Sequence, residues 1–168
     1  RRLGDRALAV TALSPSLAGD EEADCRALAD EWGLRWTAVV THEMERAAYR
    51  ANGIDRCFHC KSELMEAVGP IAAGEGAAVV LGVNLDDLTD HRPGQAAASA
   101  AGAQFPLVTA GFTKADVRAA SKALGLRTWD KPAAACLASR VPFETPVTVQ
   151  VLSQVDRAEH ALRRLGFA

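Results

Sequence analysis

The stretch that decides the fold is residues 7–13, ALAVTAL, a compact apolar run that stops at a Ser-Pro-Ser turn signal. Its length and apolar continuity predict a buried strand followed by a turn. Residues 36–40 (WTAVV) and 77–82 (AAVVLG) repeat the pattern, and the third run is apolar on both faces. Segments rich in helix-favouring residues separate the three runs. Strands that alternate with helices predict an α/β fold, a parallel twisted sheet with flanking helices.

Caps, stop residues and apolar spacing predict where the helices begin and end. We expect helices over residues 20–32, 57–73, 92–101 and 114–124 and from about residue 148 onward. Residues 43–56 are expected to be short helix or loop, residues 105–107 extended, and residues 127–146 irregular. The helix over 114–124 is expected to turn Val117, Ala120 and Leu124 inward. The last helix is expected to bury one stripe, formed by Val151, Val155, Ala158, Leu162 and Leu165.

The composition is that of an ordinary globular protein, with 168 residues, 49% apolar and 24% charged, and a formal net charge of −2. Those values exclude an intrinsically disordered chain, and the mildly acidic balance argues against a dedicated nucleic-acid-binding protein. No apolar run approaches the roughly 20 residues that span a bilayer, and no secretory leader is recognisable. We therefore expect a cytoplasmic protein with neither a membrane partner nor a stable nucleic-acid partner.

Four cysteines, Cys25, Cys57, Cys60 and Cys136, define the candidate chemistry. In a reducing compartment a C-x-x-C pair such as Cys57 and Cys60 indicates a metal, cluster or redox site, the alternative being two thiols without a function. A helix N-terminus and flanking basic residues lower thiol pKa values, so we expect thiolates near neutral pH. Cys136 adds a third thiolate, the number that leaves one iron of a [4Fe–4S] cluster without a protein ligand. Cys25 is expected to be a packed thiol, and His59 is not expected to be a ligand.

Polar residues after two predicted strands mark a candidate nucleotide side, because ligands of such sheets bind beyond the carboxyl ends of the strands. They are Thr11, Ala12 and Ser14 after the first strand and Gly82, Asn84 and Asp86 after the third. The acids of the second loop could orient a nucleotide or Mg²⁺, or could be solvated residues that cap a helix. Thr113 and Asp116 form a capping pattern, beside which Lys114 could reach a phosphate at the helix N-terminus.

Five strings of sequence, taken together, are the most informative feature of the chain. They are RCFHCK at 56–61, GVNLDDLTDHRPG at 82–94, FPLVTAGFTKADVR at 105–118, WDKPAAACLASR at 129–140 and the TPVT start of the last helix. In this order they resemble one family, the ATP-dependent sacrificial sulfur transferases of the LarE type, which are PP-loop enzymes. KPAAACLASR is the most specific string, whereas the helix after FPLVTAGFTK is shared with other PP-loop enzymes and supports the superfamily more than the family.

The resemblance implies an enzyme that uses ATP and Mg²⁺ to adenylate a carboxylate of pyridinium-3,5-biscarboxylate mononucleotide, in biosynthesis of the nickel-pincer nucleotide cofactor of lactate racemase. Adenylation provides AMP as a leaving group, and a sulfur nucleophile displaces it to give the thiocarboxylate. In single-cysteine members the cysteine that matches Cys136 gives up its own sulfur and becomes dehydroalanine. Members with three cysteines resemble cluster-dependent enzymes that carry the sulfur on the fourth iron. Because Cys57, Cys60 and Cys136 are all present, the cluster route is favoured, with these three residues as catalytic residues and ligands.

The resemblance also implies binding residues and a division of the chain. The candidate phosphate contacts are Arg92, Lys114 and Arg140; Thr11, Ala12 and Ser14 are candidates to line the adenine, and Gly82, Asn84 and Asp86 lie at the nucleotide side. Residues 1–126 match the ATPase-like α/β domain, and residues 127–168 the start of the sulfur-transfer and substrate region. The family's Ser-Gly-Gly-x-Asp-Ser loop and its substrate-phosphate tail are absent from this sequence, so we expect a section of a longer protein. We also expect a homo-oligomer that binds a small-molecule nucleotide.

Two other functions remain open. A tRNA-thiolating PP-loop enzyme also combines C-x-x-C with a third cysteine, but it should present a basic surface and bind tRNA in a salt-dependent way. A non-enzymatic metal-binding or redox module would use Cys57 and Cys60 alone. Replacing Cys136 would then leave the metal content unchanged, whereas the cluster hypothesis predicts its loss.

Overall fold

The computed structural model describes residues 3–88, 93–132 and 135–167. Its strands and helices are, in chain order, β1 (Leu8–Leu13), α1 (Gly19–Trp32), β2 (Arg35–Val40), α2 (Ala47–Ala51), α3 (Arg56–Gly74), α4 (Pro93–Ala100), α5 (Pro106–Thr109), α6 (Lys114–Ala123) and α7 (Val149–Arg164). Short 3-10 turns lie at Gly4–Arg6, Glu43–Glu45, Asp86–Leu88 and Leu137–Arg140. Among the described helices, none has the length and apolar character needed to cross a membrane.

The sheet consists of β1 and β2, which pair in parallel with Leu8 opposite Arg35 and Leu13 opposite Val40. Helix α1 makes the crossover between them and ends at Gly33, whose left-handed conformation (φ 60°) glycine adopts without steric cost. A parallel pair joined through a helix confirms the predicted α/β class and is compatible with a Rossmann-like PP-loop fold. Because parallel strands end at the same edge, the segments that follow β1 and β2 leave the sheet together.

The third predicted strand, residues 77–82, is extended but does not join this sheet. Val80 makes an isolated parallel bridge to Gln104. Leu81 N donates to Gln104 O at 3.0 Å, and Gln104 N donates to Val79 O at 2.9 Å. The prediction of a regular strand was wrong because an apolar run signals burial without specifying a pairing partner. In the described chain, the backbone hydrogen bonds of Val79 and Leu81 go to Gln104, and the Val80 side chain stays 58% exposed.

Two predictions for the middle of the chain need correction. Residues Pro106–Thr109 form the short helix α5 where extended chain was expected, because proline at the first helical position presets the helical φ. Leu124 is 62% exposed instead of facing inward. It caps the C-terminus of α6, where the chain leaves the helix direction, whereas Val117 and Ala120 are partly buried as predicted.

The predicted apolar stripe of α7 is buried only in the first half of the helix. Val151 and Val155 pack against a core cluster, and the unpredicted Leu152 is buried in it. The remaining predicted members are exposed in the described chain: Ala158, Leu162 and Leu165. Periodicity located the helix correctly, but which turns are covered depends on the neighbouring elements.

Helix α3 contributes to two separate hydrophobic clusters. The first consists of Tyr49, Leu137, Ala138, Val141, Val147 and Leu152, and Cys60 of α3 packs against it. The second consists of Met65 of α3 with Ala98 and Ala103, and Val79, Leu81 and Phe105 pack against it. The first cluster therefore joins the start of α3 to the chain around Cys136, and the second joins its middle to α4.

Candidate functional site

The first cluster brings Cys60 and Cys136 to the same region. Cys57 and Cys60 lie in the first turns of α3, Cys57 exposed and Cys60 half-buried. Cys136 is exposed and immediately precedes the 3-10 turn Leu137–Arg140. Cys60 packs against the cluster that contains buried Leu137 and Ala138. The fold thus sets the C-x-x-C helix against residues 135–140, which we call the Cys136 segment.

The Cys60 thiol is protonated in this environment. Burial, and after it the carboxylate of Glu43, are the largest causes that raise its pKa to about 12. Lys61 opposes the rise, while the sulfurs of Cys136 and Cys57 add to it. The expectation of thiolates near neutral pH was therefore wrong for Cys60, because loss of hydration at this thiol outweighs the nearby lysine.

Two buried polar side chains, Asn52 and Arg56, connect α3 to the Cys136 segment. Arg56 is 6% exposed, and its Nη1 donates to Oδ1 of Asn52 and, at 2.7 Å, to the carbonyl oxygen of Ala138. Asn52 is fully buried, and its Nδ2 donates to the carbonyl oxygens of Pro142 at 2.8 Å and Thr145 at 2.9 Å. We call this pair the Asn52–Arg56 joint. It fixes the chain on the C-terminal side of Cys136.

Arg140, the last residue of the Cys136 segment, links that segment to α7. Its Nε donates to Oε1 of Glu159 at 2.5 Å, and its Nη1 donates to the carbonyl oxygen of Ala135 at 2.8 Å and to Oγ of Ser139 at 3.0 Å. The guanidinium is thus engaged within the protein. Its role as a phosphate contact stays a prediction, and it would require the arginine to exchange or share these partners.

The turn after β1 reaches the Cys136 segment through a main-chain hydrogen bond. Leu137 N donates to Ser16 O at 2.9 Å. The buried Ser16 hydroxyl is 2.5 Å from the Tyr49 hydroxyl, and Oγ of Ser14 accepts from Ser16 N at 3.2 Å. Ser14 therefore belongs to a turn that contacts the cysteine site.

Thr11 and Ala12 lie within β1, before its end. Oγ1 of Thr11 accepts a hydrogen bond from Nε1 of Trp36 at 2.9 Å, and the Arg26 guanidinium lies over that indole at 5.0 Å from the ring centroid. The Thr11 hydroxyl thus contacts the neighbouring strand. Contact of Thr11 and Ala12 with an adenine stays a prediction.

Asn84, Asp86 and Lys114 form a second polar group. Asp86 N donates to Oδ1 of Asn84 at 3.0 Å, and Lys114 N donates to Oδ2 of Asp86 at 2.6 Å. The predicted capping box of Thr113 and Asp116 is present beside them. Asp86 therefore holds its loop to the N-terminus of α6. The Lys114 side chain is exposed at the same helix end.

Helix α4 connects this loop to the cysteine site. A Cβ atom at Gly94 would lie 2.8 Å from the carbonyl oxygen of Cys57 and 3.3 Å from Cβ of Lys61. The start of α4 is thus in direct contact with the first turn of α3. The predicted phosphate contact Arg92, two residues before Gly94, lies outside the described residues.

The three thiols match an iron–sulfur cluster in the kind of donor they offer. Cysteine thiolates are the usual ligands of such clusters, and Cys57 and Cys136 lie close enough to Cys60 to influence its pKa. Within the described ranges, no three His, Cys, Asp or Glu side chains are already gathered to hold a metal ion. Binding a cluster would therefore require Cys60 to lose its proton and the three sulfurs to converge.

Sequence reasoning missed three residues that build the site, Asn52, Arg56 and Gly94. A buried arginine leaves no local signal, because arginines usually lie at the surface. The Asn-Gly dipeptide that begins at Asn52 is a turn signal and could have pointed to that residue. His59 Nε2 lies 3.0 Å from Oδ2 of Asp55, one helical turn earlier, and Cys25 is half-buried on α1.

Comparison with known proteins gives two relatives, while no family model matches the chain. An uncharacterised protein of Synechocystis sp. is 46% identical over 166 residues, covering 98% of this chain and 62% of that protein. The pyridinium-3,5-bisthiocarboxylic acid mononucleotide synthase of Lactiplantibacillus plantarum is 36% identical over 164 residues, covering 97% of this chain and 59% of the synthase. The chain thus spans 59–62% of the length of the curated relatives it matches.

These similarities bear on the class of protein. The match to the synthase extends over nearly all of the chain, so it includes the two strands, the C-x-x-C helix and the Cys136 segment. It supports the resemblance to LarE-type sulfur transferases seen in the sequence motifs.

Proposed function

We propose that the protein is an ATP-dependent sulfur transferase that converts a carboxylate of pyridinium-3,5-biscarboxylate mononucleotide into a thiocarboxylate. The observation that carries the proposal is the similarity to the L. plantarum synthase, whose name states a bisthiocarboxylic acid mononucleotide as its product. The exposed Cys136 beside the C-x-x-C helix supports it, because a sulfur donor must be reachable by the substrate.

The proposed reaction has two steps. The substrate carboxylate attacks the α-phosphorus of ATP, pyrophosphate leaves, and an acyl-adenylate forms. A sulfur nucleophile then attacks the acyl carbon, so that a C–S bond forms and the C–O bond to AMP breaks. If Cys136 is the donor, its thiol proton is lost on attack; elimination then removes its α-proton and breaks its Cβ–S bond, leaving dehydroalanine.

The second polar group supplies the proposed nucleotide contacts. Lys114 offers a cation at the N-terminus of α6, where the helix dipole also favours phosphate. Nothing lies within 4 Å of a Cβ placed on Gly82, so a ligand can approach the backbone there. Hydrogen bonds of Asn84 and Asp86 hold the loop that contains these two residues. Mg²⁺ would accompany the phosphates of ATP.

For the sulfur source we propose the three-cysteine route. Cys57, Cys60 and Cys136 would hold a [4Fe–4S] cluster, which would supply an open iron site able to bind sulfide. The chain's own contribution is a partly buried Cys60, whose thiol has a pKa raised mainly by burial, packed against the hydrophobic cluster that contains Leu137 and Ala138. Two observations support this route: the three residues offer thiol donors, and the C-x-x-C helix packs beside the Cys136 segment.

The test combines metal analysis with product analysis on protein purified without oxygen. We expect bound iron and sulfide, AMP release that depends on ATP and substrate, and a product in which oxygen is exchanged for sulfur while Cys136 keeps its mass. Cys136→Ala should lose iron and product together, whereas Cys25→Ala should keep both. Iron-free protein that forms dehydroalanine at Cys136 would exclude the cluster route and leave sulfur transfer standing. Absence of AMP release and of thiocarboxylate would refute the proposed function itself.

A further inference from the structure

The Asn52–Arg56 joint contains a buried cation whose hydrogen bonds, within the described residues, go to neutral acceptors. Arg56 donates to the Asn52 side chain and to the Ala138 carbonyl oxygen at 2.7 Å, and within the described ranges no carboxylate forms an ion pair with it. Burying a charge on neutral partners is costly, and an apolar side chain would commonly fill such a space at lower cost. The arrangement therefore points to a role other than stability alone.

Helix geometry places this cation beside the candidate sulfur ligands. Arg56 and Cys60 are four residues apart in α3, so they are neighbours on one face of the helix. The acceptor, Ala138, follows Cys136 by two residues, and Ala138 belongs to the cluster against which Cys60 packs. The same helix face thus carries both Cys60 and the group that holds the Cys136 segment.

We propose that Arg56 is a positioning residue that holds the Cys136 segment against Cys60, so that the sulfur of Cys136 stays beside the C-x-x-C pair. Asn52 completes the arrangement, since it accepts from Arg56 and donates to Pro142 and Thr145 farther along the chain. The inference deepens the proposed function and rests on it only for the role in sulfur transfer that it gives to the neighbouring Cys60 and Cys136. The placement itself can be tested without ATP, substrate or iron.

The experiment measures thiol accessibility and proximity in Arg56→Lys, Arg56→Gln and the wild-type protein at one fixed pH. Alkylation by iodoacetamide, resolved by peptide mass spectrometry, gives a rate for each cysteine, with Cys25 as the internal reference. A short bifunctional thiol reagent measures how readily Cys60 and Cys136 are bridged. In Arg56→Gln we expect roughly tenfold faster alkylation of Cys60 and a severalfold lower bridging yield, because one of two strong hydrogen bonds is lost. Arg56→Lys keeps the charge and should restore most of the bridging.

The matched control is Arg50→Gln, because Arg50 also donates to a backbone carbonyl, that of Met44 at 2.7 Å, while within the described residues its side chain forms no hydrogen bond or ion pair with the Cys136 segment. It should leave alkylation and bridging unchanged. Wild-type alkylation and bridging in folded Arg56→Gln would overturn the proposal. If Arg56→Gln does not fold, Arg56→Met decides, because it fills the space without the hydrogen bonds: a bridging yield below that of the wild type supports positioning, and a yield equal to that of the wild type overturns it. Failure of the proposed function would show instead as absent AMP release in the wild-type protein, with these thiol results unchanged.

Discussion

Gly94 is the residue at which the start of α4 meets the backbone of Cys57, and it makes a sharp test of that contact. A Cβ at this position would lie 2.8 Å from the Cys57 carbonyl oxygen, closer than real side chains approach. Because the obstructing atom is backbone, one helix must shift. We expect Gly94→Ala to lower the free energy of unfolding by roughly 1–3 kcal/mol, as measured by urea denaturation, and to change the alkylation rate of Cys57.

Gly74→Ala is the matched control for this substitution. Gly74 is also helical, at the end of α3, and nothing lies within 4 Å of its Cβ position. Alanine in an open helical position is neutral or stabilising by up to about 1 kcal/mol. If Gly94→Ala proved as stable as Gly74→Ala, α3 and α4 could not be in the close contact described.

Among the helices and their connections, a partly buried carboxylate joins the segment before α2 to α3. Oε1 of Glu63 accepts from His42 N at 2.8 Å, and its Oε2 accepts from Nε of Arg46 at 2.9 Å. The His42 backbone donor, and then Arg46, lower the pKa of Glu63 below its ordinary value of 4.5, against the opposing effect of burial. The link therefore stabilises the fold fully above the ordinary carboxyl pKa and is lost as the pH falls through the lowered value.

Glu63→Gln tests this link through the pH dependence of unfolding. At neutral pH we expect a loss of roughly 1–3 kcal/mol, because a charge-assisted hydrogen bond is removed from a partly buried site. As the pH falls through the ordinary carboxyl pKa and then through the lowered pKa of Glu63, the wild type should lose stability that the variant does not have to lose, so the two curves should converge. Glu66→Gln is the control, since its side chain is 66% exposed and exposed pairs contribute little. Parallel curves for the wild type and Glu63→Gln would contradict the prediction.

The helices and strands also show which features of the fold can be predicted from the sequence. Helix α6 can be located from Thr113, whose side chain accepts from a backbone N–H group of the first turn, and α7 from the spacing of its apolar residues; both signals are contained in nearby residues. The segment at Val80, which pairs with Gln104 outside the sheet, and the exposed Leu165 depend on which distant elements cover them, so periodicity alone could not decide them. The cysteines could be singled out by type and spacing. The raised pKa of Cys60 and the hydrogen bond from Arg56 to the Ala138 carbonyl oxygen arise from burial and from contacts across the chain.

At the scale of the whole molecule, α3 links two hydrophobic clusters that share no residue, and this predicts two separately opening regions. Leu152→Ala should destabilise the first cluster and Met65→Ala the second, each by about 2–5 kcal/mol. In native-state hydrogen exchange, Leu152→Ala should speed exchange in α7 and the Cys136 segment, and Met65→Ala in α4. Each variant is the other's control, because both truncate a buried side chain. If either substitution accelerates exchange equally in both regions, the clusters open as one unit, and the cysteine site cannot loosen without unfolding the contact between α3 and α4.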